Sequence, residues 1–136
     1  MKFDTKIAVV LAEGLLPWQE LNVTAFLASG VTAAHPGAIG EPYADADGQT
    51  YLPLLGQPVV VLSAAAEVLG QVRERAVRRE LALAVYTREM FGTGHDEANR
   101  EVVAAVAGAD LDLVGVALLG PRNAVDKTVK GAAMHP

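Results

Sequence analysis

The sequence predicts an α/β fold, in which a four-stranded, largely parallel or mixed sheet carries helices on both faces. Three observations lead there. The runs "KIAVVLA" at 6–12 and "PVVVL" at 58–62 are β-rich and apolar without alternation, the pattern of strands covered on both sides. Stretches of helical periodicity separate the apolar runs, as in a layered α/β domain. The 136 residues, 51% hydrophobic and 20% charged, are enough for one domain, 1–136, that buries roughly two thirds of its unfolded surface.

Element by element, 6–12 reads as a central strand. Pro17 fits the first turn of the helix that follows, and Trp18, Leu21, Ala25 and Ala28 recur at spacings of three and four as an apolar stripe. Ser29-Gly30 ends that helix. The stretch 31–58 is irregular, with "YADADGQTY" reading as a hairpin or ordered loop around Asp47-Gly48. A second buried strand occupies 58–62, and Ser63 is placed to cap a helix over 64–80 that turns Leu69, Val72 and Ala76 inward. A third strand spans 81–87. Asp96 and Glu97 suit the first turn of a helix over 96–106, where the helix dipole favours acids. The last strand spans 111–120; Pro121 stops it, and "RNAVDKTVKG" reads as a short helical turn before a loose tail.

Composition narrows the function classes. No cysteine is present, which excludes disulfides, thiolate nucleophiles and zinc-cysteine sites. No apolar stretch approaches the roughly 18 residues of a membrane span, and "MKFDTKIAVVLAEG" lacks a signal-peptide cleavage site, so a cytoplasmic protein with no membrane contact is expected. Eleven Lys and Arg against 16 Asp and Glu give a net charge of −5, which disfavours nucleic acid as a partner.

Most motif fragments read as structure. In "FGTGHDEAN" the third glycine of a dinucleotide loop is replaced by Glu97, and His95 has no second histidine at ligand spacing. Asp45, Asp47 and Gly48 match part of a calcium loop, but Tyr43 and Leu54 occupy its first and last ligand positions. No metal site is expected. Arg73, Arg75, Arg78 and Arg79 alternate with Glu67, Glu74 and Glu80 as a solvated helix face does. No serine sits in a nucleophile elbow. The turn at 17–24 is what remains: Glu20 and Thr24, four apart on one helix face, could orient a water or bind a polar ligand.

The segments "KIAVVLAEGLLPWQELNVTAFLASG", "PVVVLSA" and "GVALLGPRNAVDKTVKG" together resemble the family known as domain of unknown function 2000, which is similar to the type-II peptidyl-tRNA hydrolases. The Gly120-Pro121 and Val125-Asp126-Lys127 motifs carry much of the likeness. The resemblance implies a compact peptidyl-tRNA hydrolase II-like sandwich with a mixed four-stranded sheet, and a homodimer; no cofactor is expected. The hydrolases' basic segment at the start of the first helix corresponds to Pro17-Trp18-Gln19-Glu20, so Glu20 takes the place of a catalytic lysine. Their glutamine and histidine farther along correspond to positions near Thr24 and Leu27, and their Asp-Ala-Gly to Val85-Tyr86-Thr87.

These readings place a ligand cleft beside 17–24, 87–95 and 121–127. Its expected ligand-binding residues are Pro17, Trp18, Glu20, Thr24, Thr87, Arg122, Asp126 and Lys127, with a small polar molecule as ligand. One alternative is ester or amide hydrolysis, with Glu20 as base and Asn22 or Thr24 orienting the substrate. The other is a non-catalytic dimerisation or interaction module.

Overall fold

The computed structural model describes residues 3–136. In chain order the elements are β1 (Thr5–Ala12), α1 (Pro17–Ala34), the short strands β2 (Tyr43–Ala44) and β3 (Thr50–Tyr51), and β4 (Val59–Ala64). They continue with α2 (Ala66–Arg78), β5 (Ala82–Thr87), α3 (Asp96–Ala104), β6 (Leu113–Pro121), α4 (Arg122–Thr128) and β7 (Ala133–Met134). The sheet is mixed, in the order β5-β6-β1-β4-β7. β1 runs parallel to β4 and antiparallel to β6, while β5 is antiparallel to β6 and therefore parallel to β1. The carboxyl ends of β1, β4 and β5 thus share one edge with the start of β6, and the carboxyl end of β6 lies at the other.

The two central strands set the layers. Ile7 to Ala12 in β1 and Leu113 to Gly120 in β6 are buried without a break, so both faces need cover. The crossover from β1 to β4 carries α1 over one face. The crossover from β4 to β5 runs back the other way, so the same handedness sends α2 to the opposite face. α4 joins it there, with the Arg75 guanidinium donating to the carbonyls of Thr128 (3.2 Å) and Lys130 (2.8 Å).

α1 departs from expectation. Its buried residues are Val23, Leu27 and Val31, while Leu21 is 73% exposed and Trp18 56% exposed. Apolar residues lie all around this helix, so spacing alone permits several stripes. Gly115 selects among them: a Cβ built there would lie 2.6 Å from Val23 Cγ1 and 3.1 Å from Leu27 Cδ1. Only a residue without a side chain lets α1 seat this deeply. The helix starts without a hydroxyl cap; Pro17 occupies its first position and the Leu16 N–H donates to Gln19 Oε1 at 2.9 Å.

Three further differences concern ends, and in the first α1 runs on past Ser29-Gly30 to Ala34. The tail forms a fifth strand: Ala133 and Met134 pair with Ser63 and Leu62, and the His135 N–H donates to the Val61 carbonyl at 3.1 Å. Ser63 is a strand residue, and Ala65 takes the N-cap of α2 without a side-chain bond. Between α1 and β4 the expected hairpin forms: β2 pairs with β3, and Asp45 accepts from the Asp47 and Gln49 amides and from the Tyr51 hydroxyl (2.7 Å). The Tyr51 bond, foremost, holds the Asp45 carboxyl below its ordinary range.

Two glycines test this packing with the same substitution. Gly115→Ala is expected to destabilise the protein by about 1–3 kcal/mol through overpacking. Gly70→Ala, in the exposed interior of α2 with nothing within 4 Å, is expected to stabilise it by about 0.5–1 kcal/mol. Urea unfolding of both variants measures the two signs.

Candidate functional site

Beside the edge where β1, β4 and β5 end, a cleft of about 860 Å³ opens between α1, β5 and α3. Its size is that of a small-molecule site, roughly 300–1,000 Å³. One wall is a single flank of α1, where Trp18, Asn22, Phe26 and Gly30 follow one another four residues apart. α3 supplies the facing wall with Asn99, Arg100 and Val103, and the turn between β5 and α3 adds Met90 and Phe91. Aromatic rings line the approach edge to face: Trp18 and Phe91 have centroids 5.6 Å apart, Phe26 and Tyr86 6.0 Å. Tyr86 and Phe91 are tilted at 5.2 Å.

The polar groups are few and mostly aimed. Asn22 Nδ2 donates to the Tyr86 hydroxyl at 3.2 Å. Burial pushes the Tyr86 phenol above its usual range, outweighing the opposing effect of Asn22, so the hydroxyl keeps its proton and can donate to a ligand. Thr93 Oγ1 bonds the Met90 carbonyl at 3.0 Å and Asn99 Oδ1. His95 caps α3, its Nδ1 accepting from the Ala98 N–H at 3.2 Å, which leaves Nε2 to carry the proton of the neutral ring. Asp96 and Arg100 pair with each other across one turn of α3. This constellation suits an apolar or aromatic body with one polar end. Among the described residues no group of three His, Asp or Glu side chains is positioned to hold a metal ion, and no helix there is long and apolar enough to cross a membrane.

The structure divides the residues expected from sequence into four places. Trp18 and Asn22 line the cleft, with Pro17 just before them at the helix start. Glu20 and Thr24 lie on the other flank of α1: Glu20 accepts from His135, and the Thr24 hydroxyl donates to the Glu20 carbonyl at 2.8 Å. Thr87 is 1% exposed at the end of β5, its hydroxyl without a partner among the described residues. Arg122, Asp126 and Lys127 stand at the far end of the sheet because β6 runs antiparallel to β1. There Arg122 donates to the Phe3 carbonyl at 2.9 and 3.1 Å, and Asp126 pairs with Lys6 at 2.6 Å. The expected set is therefore not one site. Phe26, Tyr86, Phe91, His95 and Asn99 complete the cleft; the signal for the first was the four-residue progression Trp18, Asn22, Phe26, Gly30.

The pairing of Glu20 with His135 ties the terminal strand to α1. Acceptance by the Pro136 carbonyl, then by Glu20, raises His135 above its ordinary value of 6.5. A raised folded-state value means that protonation favours the docked tail below the unfolded pKa, and that this contribution is lost as pH rises through the folded one. Protection of the His135 amide, corrected for intrinsic exchange, is expected to fall as pH rises above the ordinary value of 6.5. His135→Gln should flatten that dependence, and an unchanged slope in the variant would refute the assignment.

Comparison with known proteins places this geometry. A solved structure of a protein of unknown function from Agrobacterium tumefaciens strain C58 is 47% identical and superposes with a TM-score of 0.96, covering 99% of this chain and 100% of that one. No curated protein matches. The sequence model described as "Protein of unknown function (DUF2000)" matches residues 5–136, so the chain belongs to the DUF2000 family.

Proposed function

We propose that this protein is a ligand-binding domain whose site is the cleft between α1, β5 and α3, and that its ligand pairs an apolar or aromatic body with one polar end. The observation that carries this reading is the convergence of Trp18, Phe26, Tyr86 and Phe91 around one hydrogen-bonded pair, Asn22 and Tyr86. Apolar walls supply affinity by area removed from water, and a few placed polar groups supply orientation. The expectation of a small polar ligand at the helix corner is thereby moved along α1 and made more apolar.

The preference over ester or amide hydrolysis rests on where the carboxylates stand. Glu20 faces His135 across α1 from the cleft, and Asp96 is engaged by Arg100. A general base must reach the proton that it takes. Likeness to the type-II peptidyl-tRNA hydrolases remains part of this proposal as a relation of sequence, with Glu20 in the position of their lysine and an acidic chain around it.

The probe is para-fluoroacetanilide, an aromatic ring with one amide, observed by fluorine NMR. Its resonance is expected to broaden and shift with the protein. Phe91→Ala should abolish that effect. Asn22→Ala should weaken binding about 3- to 10-fold, the worth of one lost hydrogen bond. Glu20→Gln and Thr24→Ala, on the other flank, should leave it unchanged. Equal effects from both flanks, or no broadening at millimolar probe, would sink the reading.

A further inference from the structure

β5 is an outer strand of the sheet, paired among the described residues only with β6. In an antiparallel ladder, alternate residues turn their N–H and C=O groups to opposite edges. Two bonds fix which ones turn inward. The Arg122 N–H donates to the Asp4 carbonyl and the Arg88 N–H to the Asp112 carbonyl, both at 2.9 Å. With the registers Lys6↔Gly120 and Ala84↔Ala117, Ala82, Ala84 and Tyr86 bond to β6. Leu83 and Val85 therefore present their main-chain donors and acceptors outward, with no partner among the described residues.

That free edge meets the cleft. Ala84 and Tyr86 point to the α1 side, Ala84 against Gly30 and Tyr86 against Asn22. The Val85 side chain therefore points to the opposite face. Val85 nonetheless lines the cleft, so its main chain is what it offers there. We infer that the cleft takes an extended, uncharged peptide segment, which adds to the sheet as a strand along β5 and places one aromatic or apolar side chain among Trp18, Phe26 and Phe91.

This inference rests on the ligand-binding reading above and names its ligand class. An unpaired edge without charge, proline or central bulge is a template for another strand. The sequence of β5, Ala82 to Thr87, carries no charge, and the acid and base that line the cleft, Asp96 and Arg100, pair with each other. A charged segment would find no partner there and would lose its hydration. Residues 88–92 and α3 flank the cleft, leaving a slot that suits one segment rather than the sheet of a second folded copy. In the bound strand, residues opposite Leu83 and Val85 exchange backbone bonds, and the residue between them, opposite small Ala84, faces the rings.

The test uses the peptide acetyl-Ser-Thr-Phe-Thr-Ser-amide and a version N-methylated at both threonines, with para-fluoroacetanilide as competitor. The expected result is displacement of the fluorinated probe by the parent peptide, with the Leu83 and Val85 amides shifting and gaining protection. N-methylation should weaken binding about 10- to 100-fold, the worth of two backbone bonds. Val85→Pro, which removes one outward donor at a sheet edge, should lose the peptide and keep the probe. Equal affinity of the two peptides would overturn strand addition, as would a probe that binds while neither peptide does. Protection of Leu83 and Val85 in the free protein, with a dimer in solution, would overturn it too by giving the edge to a second copy. Failure of the probe and both peptides together would instead remove the cleft as a ligand site.

Discussion

Everything else in the molecule is arranged around the seam between β1 and β6. Eight successive buried residues on one strand face a run of six on the other, and neither can tolerate water on either face. That requirement calls for two helical layers and fixes how closely each approaches. Gly115 gives α1 its depth on one side; Gly120, whose added Cβ would meet Leu81 at 2.7 Å and Val125 at 3.8 Å, does comparable work on the other. The seam also carries direction. Because β6 opposes β1, the chain leaves it at the end remote from α1's start, and Arg122 and Asp126 of α4 are spent on anchoring Phe3 and Lys6.

The cleft follows from how α1 is rotated. Once Val23 and Leu27 drop over Gly115, the flank holding Trp18, Asn22 and Phe26 must overhang β5, and the carboxylate of Glu20 is carried toward β7. One rotation about the helix axis thus separates an aromatic wall from a titratable latch. A helix with a single apolar stripe would have buried its rings and left no wall to spare. Here the exposure of Trp18 and Phe26 is the counterpart of a core already filled by aliphatic side chains.

How much was legible beforehand tracks how local the cause is. The central strands announced themselves as unalternating apolar runs, and α3 was marked by Asp96 and Glu97 in its first turn. Three features were not legible, each for a physical reason. A strand buried on both faces looks the same in either direction, so nothing in "LDLVGVALLG" told whether 121–127 would return to the corner at 17–24. An all-round apolar helix does not reveal its seat; the deciding residue, Gly115, lies more than eighty positions away. β7 is two small or flexible residues long, and its pairing depends on β4 having an open edge rather than on any pattern of its own. Residues 87–95 border the site as strand ends in such sheets do, yet the sequence shows His95 only as a lone histidine without a second metal ligand, whereas its ring serves as a helix cap.

Trp18 is the chain's only tryptophan, and it sits at the cleft rim against Phe91 rather than in the core. Its emission is therefore a local instrument. Loosening of the α1 flank from the 88–92 turn would change the fluorescence while the ladder of β1 and β6 stayed intact, and far-ultraviolet dichroism would register only the later loss of the ladder. Divergence between the two signals on heating would mark a cleft that opens before the domain melts, and their coincidence would mark a cleft as firmly held as the sheet beneath it.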